Sequence, residues 1–329
     1  MRIGVIHLNQ IGDLVFSLPL LKSLKDRYPH AEIHSILKPH LKSLLDGSAF
    51  VDTVIPRQGG VKETALLVKT MRRNRYDLLI SLARSEEAFL LTCLSGSAKK
   101  AGFERFLWDA CLDVKEIVKG HNSWYNNARL LKKLGIEPSV ENYVGLLPIQ
   151  PGECSVSVPE PYAVISAGAS PRRLIKAWDE EKFAQLIISL HTRYNLRPVL
   201  VGAGDTRESN SLIAKKVHED PAGKDIDVLD LTGSLNLRSL AALLMKARLF
   251  VGIDSGVMHL ASAADIPVVA LFGPTDPLYV GPQNRKSVVV RAGMDCMPCY
   301  LEKTCADVDC MRRLTAGQVM DACIRLMDS

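Results

Sequence analysis

No stretch of this chain approaches the roughly 18 to 20 consecutive apolar residues of a membrane helix. The opening run MRIGVIHLNQIGDLV is too short for the hydrophobic region of a secretion signal and soon meets Asp13. The expectation is therefore a cytoplasmic protein. Charge of one sign is also scarce, since 41 Lys and Arg against 36 Asp and Glu leave a net charge of only +5. That is too little to expect a nucleic-acid partner without a concentrated basic patch, although it suits an anionic substrate or membrane surface. A Walker GxxxxGK[ST] loop is missing. So is the full GxGxxG fingerprint: Val201-Gly202-Ala203-Gly204-Asp205 only approximates it, which argues against a nicotinamide-dependent oxidoreductase. This element reads instead as the rim of a nucleotide pocket. No short-period repeat is present.

What is present fits two folded domains. A length of 329 residues exceeds what one hydrophobic core usually organises, and 47% hydrophobic with 23% charged residues leaves no room for a large disordered part. Short β-type runs at 2–8, 31–37, 51–55 and 76–82 alternate with helical patterns at 14–24 and 63–74, with a glycine turn at Gly12. Pro148, Pro151, Gly152, Pro159 and Pro161 then crowd a segment that neither helix nor strand tolerates. The alternation restarts with strands at 162–166, 197–201, 228–231, 249–253 and 268–271. Both halves thus read as α/β, doubly wound parallel sheets, with domains at 1–150 and 151–329. The last periodic stretch, 316–327, is expected to pack back on the N-terminal domain.

Eight cysteines in a large chain without a leader imply reduced thiols by default. Cys296, Cys299, Cys305 and Cys310 cluster as C-x2-C-x5-C-x4-C, a looser spacing than paired zinc knuckles. A structural zinc, a disulfide or redox pair, and unliganded thiols all remain open. No catalytic cysteine is expected, because no base partner lies nearby.

Ligands of open parallel sheets bind beyond the carboxyl ends of the strands, so the chemistry is sought in loops that follow strands. The first is Asn9-Gln10-Ile11-Gly12-Asp13, where Asp13 is either a reactive carboxylate or a helix N-cap. Another, Ala167 to Arg173, runs on through Ser170, Arg172 and Arg173 to Lys176 and Trp178, and reads as a phosphate cradle or as a solvated basic turn. The third is Gly252-Ile253-Asp254-Ser255-Gly256-Val257-Met258-His259. Its helix start offers free N–H groups to a diphosphate, unless Asp254 merely caps the helix and His259 merely packs in the core. Phe272-Gly273-Pro274-Thr275-Asp276-Pro277 is expected to line the same cleft.

The early I-G-D, the K-x-W at Lys176 to Trp178, the run G-I-D-S-G-V-M-H-L-A and the following L-F-G-P-T-D-P resemble glycosyltransferase family nine, the lipopolysaccharide heptosyltransferases. The likeness extends over essentially the whole chain, down to C-x-P-C at Cys296 to Cys299. It implies a GT-B fold: two Rossmann-like domains facing a central cleft, an N-terminal one for the acceptor and a C-terminal one for the nucleotide sugar. It further implies inverting transfer of a heptose-type sugar, from a donor such as ADP-heptose to an acidic lipopolysaccharide core, with no cofactor or metal required. By the same resemblance Asp13 is the general base, Lys176 binds donor phosphate and Ser170 contacts it. Asp254 holds the sugar, while Ser255, Gly256 and His259 form the phosphate turn. Gly12, Thr275 and Asp276 are further candidates for donor contacts. The basic loop is longer than in the best-known subgroup, which leaves Arg172 and Arg173 unassigned. A non-catalytic nucleotide-sugar-binding module would keep the second-half loops without needing Asp13. A lipid acceptor implies transient contact with the inner membrane, for which Lys38, His40, Lys42, Lys62, Lys69, Arg72, Arg73 and Arg75 are candidates.

Overall fold

The structure, a computed structural model, describes residues 1–105, 109–121, 123–168, 171–299, 305 and 308–328. The chain divides into two compact units, Met1–Pro148 and Ile149–Ser329. The first runs β1 (Arg2–Ile6), α1 (Ile11–Arg27), β2 (Glu32–Leu37), β3 (Thr53–Pro56), α2 (Val61–Asn74), β4 (Leu78–Ser81), α3 (Glu86–Leu94), β5 (Lys99–Phe103), β6 (Val114–Glu116) and α4 (Trp124–Lys133). The second runs β7 (Tyr162–Ser166), α5 (Glu180–Tyr194), β8 (Arg197–Leu200), α6 (Arg207–Glu219), β9 (Leu229–Asp230), α7 (Leu237–Lys246), β10 (Leu249–Ile253), α8 (Gly256–Ala263), β11 (Val268–Leu271), α9 (Pro277–Val280), β12 (Ser287–Val290), α10 (Asp309–Arg312) and α11 (Ala316–Met327).

Each unit holds one six-stranded sheet, ordered β3-β2-β1-β4-β5-β6 in the first and β9-β8-β7-β10-β11-β12 in the second. Every pairing is parallel. Parallel sheets covered by helices on both faces bury both faces of their central strands. Accordingly β4, β7, β10 and β11 are buried along their whole length. The strand order reverses between β1 and β4 and again between β7 and β10, and at such a switch point neighbouring crossovers leave to opposite faces and open a crevice. The loops that carry Asp13, Lys176 and Asp254 start there.

Two expectations need correction. Gly12 does not make a turn but lies in the first turn of α1, whose N-cap is Gln10. The final helix belongs to the second unit, where α11 lays Val319, Ala322 and Cys323 into the core and contacts α5, β11 and β12. A Thr315–Gln318 capping box starts it there. Reduced thiols fail at one pair, since the path of β5 brings Cys111 beside α3 and a disulfide joins it to Cys93 at a Cα separation of 5.4 Å. The proline-rich segment is also tied down, by an ion pair between Glu153 and Arg238 on α7. Among the described residues no helix is long and apolar enough to cross a membrane.

Candidate functional site

In the first unit the site is built on the loop between β1 and α1. Arg57, fully buried beyond the end of β3, reaches this loop with its guanidinium: it donates to the His7 carbonyl at 3.1 Å and to the Asn9 side chain, and pairs with Glu87 of α3 at 2.5 Å. Burial lowers the Arg57 pKa, while Glu87 opposes the shift. His7, also buried, is held between Ser17 (3.0 Å) and Ser35 (3.2 Å). Burial, and next to it the Arg57 charge, push its pKa down to about 3, so the ring is neutral. This network fixes residues 7–9 and with them the start of α1. Asp13 stands half-buried in the first turn of that helix, where the helix dipole favours negative charge. It is not the N-cap, so the capping reading of Asp13 falls. The sequence reading missed Arg57; its position just past a strand end was the available signal.

In the second unit the geometry converges on Asp254. Lys176, at the end of a short 3-10 turn after β7, forms an ion pair with Asp254 at the end of β10, and both side chains are buried. Thr275, beyond β11, donates its hydroxyl to the same carboxylate oxygen at 2.7 Å. Neighbouring strands β7, β10 and β11 thus deliver a cation, a carboxylate and a hydroxyl to one point. Trp178 secures the Lys176 loop: its indole N–H donates to the Leu314 carbonyl at 3.0 Å and its ring meets Phe183 edge-on. Gly273 is required by close packing, since a Cβ there would lie 2.6 Å from the Met311 sulfur and 2.9 Å from that of Cys310.

Ser255 caps α8 by accepting from the Met258 N–H at 3.4 Å, and Gly256 is the first helical residue. The first N–H groups of the helix therefore have no acceptor within it. His259 is buried one turn later, and its pKa is lowered to about 4. Burial is the main cause; the Asp254 carboxylate opposes it and the Lys176 charge adds to it. His259 thus offers a ligand a neutral imidazole rather than a positive charge. Asp276 caps the short α9 through the Leu278 N–H at 3.0 Å.

Ser170 lies outside the described residues. Cys296 and Cys305 are exposed while Cys310 is buried, and burial raises the pKa of its thiol. Among the described residues no three His, Cys, Asp or Glu side chains are placed to hold a metal ion. In the glycine-rich loop after β8, close packing requires glycine at 202, where a Cβ would lie 2.1 Å from the Thr206 hydroxyl.

The family model of glycosyltransferase family 9 (heptosyltransferase) matches residues 64–308. The chain belongs to glycosyltransferase family 9. The matched stretch contains Lys176, Asp254 and Thr275 and begins beyond Asp13. Lipopolysaccharide heptosyltransferase 3 of Escherichia coli K12 is 27% identical over 304 residues, which cover 86% of this chain and 85% of that protein. Among solved structures, the family 9 glycosyl transferase of Veillonella parvula aligns with a TM-score of 0.82 at 21% identity, covering 100% and 97% of the two chains. An Escherichia coli heptosyltransferase solved with ADP-2-deoxy-2-fluoro heptose aligns at 0.75 and 20% identity, with 99% of each chain covered. This family 9 glycosyltransferase accordingly has an α/β fold of the GT-B type, with a doubly wound sheet in each unit.

Proposed function

We propose that this enzyme transfers a heptose-type sugar from ADP-heptose to the acidic inner core of lipopolysaccharide, with inversion and without a catalytic metal. The observation that carries this reading is the convergence of Lys176, Asp254 and Thr275 at the carboxyl ends of β7, β10 and β11, beside the amino end of α8. A departing diphosphate needs positive charge and N–H donors fixed in advance, and Lys176 with the first turn of α8 supplies both. Asp254 then holds hydroxyls of the sugar, and the lysine exchanges its partner for phosphate. Asp13 takes the proton of the attacking hydroxyl. General-base help of this kind is worth roughly 100- to 10,000-fold. Ser255, Gly256 and His259 complete the phosphate turn. The ADP-heptose analogue in the Escherichia coli neighbour supports the choice of donor, and the name of the Escherichia coli relative supports that of the acceptor.

Transient docking on the inner membrane belongs to the same reading. On α2 the side opposite the buried Leu67 and Met71 carries Lys62, Lys69, Arg72 and Arg73, with Val61 and Leu66 88% and 66% exposed. A concavity of about 640 Å³ opens there, lined by Lys69, Arg72, Arg73 and Arg75. Cations interleaved with exposed apolar residues suit an anionic lipid surface. Lys38 contributes less, because it pairs with Glu87 at 3.8 Å.

A thermal-shift screen of ADP, UDP, GDP and NAD tests the donor assignment. ADP alone should raise the midpoint; a response confined to UDP, GDP or NAD refutes the assignment.

A further inference from the structure

The first turn of α1 faces a small cavity lined by Leu8, Asp13, Phe16, Phe103, Ser123 and Asn127. Its volume of about 10 Å³ is room for one water-sized group. Ser123 is 3% exposed, and although it occupies the N-cap position of α4 its side chain caps nothing. Its Oγ has no hydrogen-bond partner among the described residues.

Three side chains near Ser123, those of Asn126, Trp124 and Asn127, are committed to backbone groups. Asn126 accepts from the Lys119 N–H and donates to the carbonyls of Lys119 and His121, which pins the segment leading into the helix. Trp124 donates to the Glu141 carbonyl at 2.6 Å. Asn127 donates to the Phe16 carbonyl at 3.0 Å and so ties α4 to α1. The serine is thereby fixed in place with its hydroxyl unused. Buried polar groups left unpaired are rare in folded proteins, and a bound ligand is one way such a group finds its partner.

We infer that Ser123 positions the attacking hydroxyl of the acceptor against Asp13. The inference rests on the reading of Asp13 as the base. A hydroxyl seated in the cavity donates its hydrogen to the Asp13 carboxylate and accepts one from Ser123 Oγ, which leaves a second lone pair for attack. As that oxygen bonds to the anomeric carbon, its proton passes to Asp13. The bond from the anomeric carbon to the phosphate oxygen breaks, and its electron pair leaves with the diphosphate.

The test is steady-state kinetics of Ser123→Ala with ADP-heptose and an inner-core acceptor. At least a tenfold loss in kcat/KM for the acceptor is expected, with donor affinity within about twofold of the wild type. The melting temperature should hold or rise, because the change removes an unpaired buried hydroxyl. Ser123→Cys, which keeps a weak donor at the same place, should recover part of the loss. A lower melting temperature, with donor and acceptor constants impaired alike, would show a structural role and overturn the inference. Unaltered acceptor kinetics would do the same. Asp13→Asn separates this from the reading beneath it: transfer should drop at least a hundredfold with donor affinity kept. If Asp13→Asn stays active, the base assignment fails and the inference fails with it. If Asp13→Asn is inactive while Ser123→Ala behaves as wild type, only the Ser123 subsite is lost.

Discussion

Lys176 and Asp254 face each other as an ion pair with both side chains almost completely buried. Breaking such a pair from one side leaves an uncompensated buried charge and costs about 3–5 kcal/mol, whereas replacing both partners by apolar residues is often neutral. Chemical denaturation of Lys176→Met should therefore show a large loss of stability, much of it recovered in Lys176→Met/Asp254→Leu. A single variant within about 1 kcal/mol of wild type would place the pair in solvent, where such contacts are weak. The neutral histidines give a second prediction. Both begin from an ordinary pKa of 6.5, which falls to about 4 for His259 and about 3 for His7 in the folded chain. The unfolded chain takes up these protons below about pH 6.5 and the folded chain does not. Stability is therefore complete above that pH and declines as the pH falls towards 4 and then 3. Thermal midpoints of His259→Gln should decline less steeply over this window than those of the wild type, and parallel curves would contradict the assignment. At this scale the sequence reading picked out Asp13, Lys176, Asp254 and Thr275 from their places after strand ends. It could not join Lys176 to Asp254, 78 residues apart, because only the pairing of β7 with β10 does so. It passed over Arg57, which follows a strand end but belongs to no recognisable motif, and Ser123, which only its burial marks.

Among the elements, α2 is the clearest case of a surface that the core does not explain. Its inner face needs only Leu67 and Met71, yet its outer face carries four cations beside exposed Val61 and Leu66. Substituting Lys62, Lys69 and Arg73 by Gln should weaken binding to anionic vesicles by roughly a hundredfold, from about 1 kcal/mol for each basic residue near such a surface. Wild-type binding should fall as salt rises. Binding unchanged in the triple variant, or insensitive to salt, would remove α2 as the docking element. The elements themselves were unevenly legible. Strands β7, β10 and β11 announce themselves as short buried runs, and α5 and α7 as apolar periodicity with an Asp or Asn cap. Residues 83–146 yielded no elements from sequence, although α3, β5, β6 and α4 lie there. For α3 a signal was there, a Ser85 cap followed by Glu86 and Glu87; for the others the reasons are physical, since β5 reads Lys-Lys-Ala-Gly-Phe, β6 has three residues, and α4 opens on Trp-Tyr-Asn-Asn, all poor formers of their own structure. Tertiary pairing and burial decide these segments, and single-sequence patterns do not record them.

Across the whole molecule the same strand order is used twice, so each unit has one switch point, after β1 and β4 in the first and after β7 and β10 in the second. The residues proposed for proton removal belong to the first unit and those proposed for the diphosphate to the second. The division into two units was legible in the alternation of strands and helices and in the proline-rich segment. A periodic helix shows that it has an apolar face but not which core receives it, and here the core beside α5 does. Membership of family 9 makes the chain a glycosyltransferase; its sugar and acceptor are the central claim. Mass spectrometry of a heptose-accepting inner-core lipopolysaccharide, incubated with the enzyme and ADP-heptose, tests that claim most directly. The acceptor should become heavier by one heptose, with ADP released in equal amount. An acceptor of unchanged mass, from an enzyme that binds ADP and transfers from a different nucleotide sugar, would contradict it.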